Sequence, residues 1–164
     1  MNQLKKSEYL QIRISKQEKE IIKSSAQMAG IDMSAWILQK VLPEKSKVFI
    51  NILKKFKSEE SSFVFAELHD FLARLQVHDF ELTLDINPNI QLTDFQINYV
   101  IAMIAHRAKQ LNLSPPDWIK TYPVLSEPYF GTTLKNLRLH LLINSPIAFK
   151  QRNIYIDSTI GDRV

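Results

Sequence analysis

The stretch Tyr9-Leu10-Gln11-Ile12-Arg13-Ile14-Ser15 decides how the first part of this 164-residue chain is read. Leu10, Ile12 and Ile14 alternate with Tyr9, Gln11 and Arg13, the two-residue period of a β-strand with one apolar and one polar face. Immediately after it, Ser15 and Glu18 form the S-x-x-E spacing in which each side chain satisfies the other residue's backbone amide, so a helix is expected from about Lys16. Ile21, Ile22, Ser25, Ala26 and Ala29 recur on one side of that helix, opposite Lys16, Lys19, Glu20 and Lys23. Gly30 supplies a stop. Asp32 then caps a second helix with an apolar stripe of Met33, Trp36, Ile37 and Val41, which Pro43 closes.

A lone strand in so small a unit leaves its backbone donors and acceptors unpaired, and a second copy of the chain is the obvious partner. Antiparallel pairing of two copies would bury Leu10, Ile12 and Ile14 on the helices, with Ile22, Trp36 and Ile37 completing a dimer core. Tyr9, Gln11 and Arg13 of both copies would then share the exposed face. A two-stranded ribbon fits the major groove, where Gln pairs bidentately with adenine and Arg with guanine, so these three are the expected base readers.

Through YLQIRIS, SKQE, IIKSSAQMAG and IDMSAW, residues 5–42 resemble the ribbon-helix-helix family of bacterial repressors and antitoxins. The resemblance implies a homodimer on double-stranded DNA, with backbone amides of Met33, Ser34 and Ala35 gripping a phosphate at the start of the second helix. Asp32 departs from that pattern, because a carboxylate there repels a phosphate and also serves as a plain cap. Lys5 and Lys6 precede the strand as a phosphate-touching arm or as solubilising charge.

Charge supports a polyanionic partner for this end. Residues 1–57 hold 12 Lys and Arg against 5 Asp and Glu, whereas residues 58–164 hold 9 against 12. The expected organisation is a DNA-binding and dimerisation module at 1–43, a connector helix at 44–57 and a mostly helical domain at 58–164, a mainly α chain. In the connector, Val48, Ile52, Leu53 and Phe56 form the apolar face. Lys54, Lys55 and Lys57 lie opposite, as a solvated face or a polyanion contact.

Further along, a helix over 63–75 offers Phe63, Ala66, Leu68, Phe71, Leu72 and Leu75 for burial. Residues 78–89 stay open between strand and helix, since Leu82, Leu84 and Ile86 alternate while the preceding residues suit a helix; Asn87-Pro88-Asn89 breaks the chain. Thr93 caps a core helix to about Leu111, Ser114-Pro115-Pro116-Asp117 opens a short helix, and EPYFGT reads as a loop. A last substantial helix covers 134–143 until Ser145-Pro146. The tail alternates at Ile154 and Ile156 like a docked extended segment and carries the basic trio Lys150, Arg152 and Arg163.

Catalytic signals are lacking. There is no cysteine, and the three glycines build no phosphate loop. His69, His78, His106 and His140 have no metal-ligand spacing, and Arg74 with His78 sits closer than the Arg-His pair of helical nucleases. A non-enzymatic, cofactor-free protein is expected. With no membrane-length apolar run and no signal-like start in MNQLKKSEYLQ, it is placed in the cytoplasm. The expected function is a sequence-specific transcriptional regulator, its narrower form an autorepressing antitoxin that holds a toxin through residues 58–164. The alternative is a homodimeric interaction module in which Trp118, Tyr129 and Phe130 mark a groove for a protein partner.

Overall fold

The computed structural model describes residues 11–41 and 44–157. By internal contacts the chain divides into two units, Met1–Leu42 and Pro43–Val164.

In the first unit, α1 (Lys16–Met28) and α2 (Met33–Val41) pack on each other. The reciprocal cap forms as the spacing requires: the Ser15 amide donates to Glu18 Oε2 (2.7 Å) and the Glu18 amide to Ser15 Oγ (3.2 Å). The Ser15 amide also draws the Glu18 carboxyl below the usual range. Gly30, at φ +67°, makes the left-handed turn that a side chain would disfavour. Residues 11–15, expected as the end of a strand, have no strand pairing in the single chain, and Tyr9 and Leu10 lie outside the described residues. A strand exists only where a second one supplies its hydrogen bonds, so the sequence period alone does not make one.

The second unit is built around α6 (Asp94–Gln110), whose Ile97, Val100, Ile101, Ile104 and Ala108 are buried. Thr93 caps it as expected, and Gln96 makes the cap reciprocal. α4 (Ser61–Ala73) packs on α6 and on α3 (Glu44–Lys55), and α3 packs on α5 (Val77–Leu84). The helix expected as a connector thus contributes Phe49, Ile52 and Leu53, with Phe56 just beyond its end, to the core of this unit. Phe49 is inside where Val48 was expected. In α4 the buried ladder is Val64, Leu68 and Leu72, continued by Leu75, which turns Phe63 and Ala66 outward. A ladder of four-residue steps drifts slowly around a helix, so choosing its starting residue one place off exchanges the inside for the outside.

The ambiguous 78–89 stretch resolves as α5 followed by a break. Leu82 and Ile86 are exposed while Phe80 and Leu84 are buried, and Asn89 takes φ +47°. The short helix is a 3-10 turn at Asp117–Thr121 whose Trp118 is core, its indole N–H donating to the Leu84 carbonyl (2.7 Å) at the end of α5. EPYFGT is more than a loop, since β1 (Tyr129–Phe130) pairs in parallel with β2 (Ile154–Tyr155) in the tail. Between them run α7 (Lys135–Asn144) and α8 (Ile147–Lys150). The tail docks as an extended segment, with Ile154 and Ile156 buried.

Of its basic trio, Arg163 lies outside the described residues, and Lys150 Nζ donates to the Ile143 carbonyl (2.8 Å). Arg152 is buried, and burial lowers its guanidinium pKa. It donates to the carbonyls of Ile119 and Tyr122 and to Asn98 Oδ1. Arg107 ties a second junction, its Nη2 donating to the carbonyls of Ala73 (2.8 Å) and Leu75 (2.9 Å), where α4 ends. No helix among the described residues is long and apolar enough to cross a membrane.

Candidate nucleic-acid interface

The interface expected from the sequence lies in the first unit, where the most informative observation is what α1 and α2 fail to bury. Ala26 alone is buried among the described residues of this unit. Ile12 and Ile14 are 53% and 43% exposed, and Ile21, Met28, Ile31, Leu38 and Val41 also face solvent. Ile22, Trp36 and Ile37, the helical part of the expected dimer core, are half-buried. Two short helices do not enclose a core, and so much apolar surface on so few residues calls for another surface to cover it.

Gln11 and Arg13, which alternate in sequence with Ile12 and Ile14, are exposed and free of the α1 cap. Tyr9, the third expected base reader, and Lys5 and Lys6, the expected phosphate arm, lie outside the described residues. Lys16, Lys19 and Lys23 all face solvent along α1, and Lys40 stands over the Trp36 ring at 5.8 Å.

At the start of α2, Met33 and Ala35 are half-buried and Ser34 is exposed. The Ala35 amide already donates to Asp32 Oδ1 (2.9 Å) and the Trp36 amide to the Asp32 carbonyl (2.9 Å). Asp32 therefore acts as the cap its position suggested. A phosphate approaching Met33, Ser34 and Ala35 would meet a carboxylate and one amide already engaged.

Residues 4–59 match the model of the NikA-like family, described as Mobilization protein NikA. The match covers about a third of the chain and takes in residues 11–15, α1, α2 and α3. No curated protein and no solved structure matches the chain.

The second unit holds a cleft of about 720 Å³ between α4 and α6 that the sequence did not announce. It is lined by the aromatics Phe65, Phe95, Tyr99, Tyr129 and Phe149 and by the polar side chains His69, Asp70, His106 and Arg107. Its rings pack on one another, Phe65 with Tyr99 at 4.2 Å and Phe95 with Tyr129 at 4.4 Å between centroids. They come from four separate segments, so only the tertiary fold assembles them. Of the three aromatics expected to mark a groove, Tyr129 lines this cleft, Trp118 is core, and Phe130 stacks on Tyr155 under Arg138. Among the described residues no group of His, Asp and Glu is placed to hold a metal ion.

Enclosure by these rings raises the Tyr99 phenol to about 12, Tyr129 adding to the effect. The neutral phenol is thus favoured by folding. That contribution is complete below pH 10, the ordinary tyrosine value, and is lost as pH rises toward 12. In an alkaline titration followed by phenolate absorbance, one tyrosine should ionise late. Tyr99→Phe should remove that late phase and leave the others in place.

Proposed function

We propose that this chain is a non-enzymatic DNA-binding accessory protein of mobilization, which recognises a site in a transfer origin as a homodimer and works beside the relaxase that nicks there. The observation that carries this reading is the match of residues 4–59 to the NikA-like mobilization family, over the segment that holds the strand-helix-helix pattern. The coverless apolar residues of the first unit support the homodimer, and the surplus of Lys and Arg in residues 1–57 supports the polyanion. In the dimer Ile12 and Ile14 turn inward with Leu10, and Tyr9, Gln11 and Arg13 read base edges. The narrower reading as an autorepressing antitoxin draws no support from the match, and no observation favours a toxin as partner.

The test is binding of the purified protein to three duplexes: the transfer origin of its own element, its own promoter and a scrambled control, with salt varied. Preference for the origin supports the proposal, with the logarithm of affinity falling by about 0.9 per phosphate contact for each logarithm of salt. Preference for the promoter would restore the repressor reading. Equal weak binding to all three, insensitive to salt, would overturn DNA recognition altogether.

Asp32 offers a sharper probe within the same assay. Asp32→Asn keeps a good cap while removing a negative charge from the start of α2. If that helix start faces a phosphate, origin affinity should rise about two- to fivefold, the range of a single charge at a helix end. An unchanged affinity would move the α2 start away from the DNA backbone.

A further inference from the structure

α7 is a ten-residue helix with a single buried residue, Leu141. Around it Leu134, Leu137, Leu139, Leu142 and Ile143 are all exposed, Leu139 and Ile143 at 66% each. At 100° per residue Leu139 and Ile143 lie one turn apart on the side away from Leu141, with Leu142 beside them. A helix whose outward side is this apolar is built to be covered.

The charge around that stripe indicates by what. No Asp or Glu occurs between Glu127 and Asp157, while Lys135 stands one turn before Leu139 at the head of the apolar row and Arg138 flanks Leu142. Arg138 lies over the Phe130 ring at 4.9 Å, which holds its charge at this edge. On the other side stand the uncharged Asn136 and Asn144 with His140, whose ring hydrogen-bonds the Asn144 amide (3.1 Å). The apolar row thus has a cation at its head and another beside Leu142, and polar side chains without a Lys or Arg along its other flank. A helix that lies on an anionic lipid surface carries Lys and Arg along its polar face, whereas Asn136, His140 and Asn144 here supply none. A second copy of α7 would bring an equally cationic edge and no carboxylate.

We propose that α7 is a docking element for an acidic amphipathic helix of another protein, with leucine-like side chains against Leu139, Leu142 and Ile143 and carboxylates against Lys135 and Arg138. This is the helix-against-helix form of peptide recognition, in which apolar anchors supply affinity and flanking charges supply register and partner choice. It stands apart from the DNA-binding reading, because it uses a surface outside residues 4–59.

The test uses the full-length protein and two synthetic helical peptides of equal length. Both carry a leucine stripe, flanked in one by glutamates and in the other by lysines. Fluorescence anisotropy should show saturable binding of the glutamate peptide at least tenfold tighter than the lysine peptide, and weakening with salt. Leu139→Ser with Ile143→Ser should reduce it at least tenfold without changing the circular dichroism or DNA binding, since both side chains are exposed. Lys135→Glu should narrow the preference between the peptides.

No binding of the glutamate peptide, equal binding of both, or indifference to the double serine variant would overturn the proposal. So would self-association of the wild type by light scattering that the double serine variant abolishes, which would make a second copy the cover. Flotation with vesicles of phosphatidylglycerol that depends on the same two residues would likewise overturn it in favour of a membrane.

Discussion

Replacing Gln11 and Arg13 together by alanine is expected to bring origin binding down to the level of a scrambled duplex while leaving the dimer intact. A bidentate contact from Gln or Arg is worth about 1–3 kcal/mol of base discrimination, and a homodimer loses each contact twice. The loss is therefore bounded by the gap between specific and non-specific binding, about a thousandfold or more at physiological salt. Non-specific binding falls much less, because only Arg13 carries charge and a single phosphate-range cation contributes modestly to a salt-dependent background. The proposed dimer is expected to survive, because both side chains are exposed and alternate in sequence with Ile12 and Ile14. Ile12→Ser with Ile14→Ser is the converse experiment, removing the apolar side chains that the proposed dimer would cover and expected to yield monomers by light scattering. A double alanine variant that keeps its origin preference would remove Gln11 and Arg13 from base reading.

Arg152→Leu is expected to cost the second unit about 3–5 kcal/mol. The leucine occupies much of the space but leaves three acceptors without their donor: the carbonyls of Ile119 and Tyr122 (2.8 Å to Nη1) and Asn98 Oδ1 (3.4 Å). Each buried group left unsatisfied costs about 1–3 kcal/mol, the longest of these contacts counting least. Asn98 is itself a link, its amide donating to the carbonyls of Asp94 (2.9 Å) and Pro123 (3.1 Å). Loss of Arg152 therefore loosens the turn at Asp117–Thr121 from both the tail and α6. Against a typical domain stability of about 5–15 kcal/mol the change is large, and it should appear as a much lower urea midpoint with little change in slope. Arg152→Lys should recover only part, since an ammonium keeps the charge but not the planar fork that spans two carbonyls. Arg138→Ala, which removes an exposed arginine over a ring, should cost no more than about 1 kcal/mol. A loss below about 1 kcal/mol for Arg152→Leu would mean that water replaces the guanidinium and that the site is open.

Local sequence determined a good deal here. Ser15 with Glu18, and Thr93, marked two helix starts to the residue, because a cap acts within four residues and needs nothing from the rest of the chain; Gln96, which completes the second cap, was not read. Asp32 and Gly30 were legible for the same reason. What depends on distant partners was not legible. Phe49 rather than Val48, and Val64 rather than Phe63, face the core because of how α3, α4 and α6 meet, and one residue turns a helix by 100°. Tyr129 found a strand partner in Ile154, some twenty-five residues later, where a local reading saw only a loop. Arg152 looked like one more cation at a basic tail, yet the tertiary structure folds backbone carbonyls around it and makes it a tie of the core. Backbone capping is a short-range property of neighbouring residues, whereas burial belongs to the assembled surfaces, and only the assembled chain decides which cations face water and which apolar helix, α7, is left uncovered.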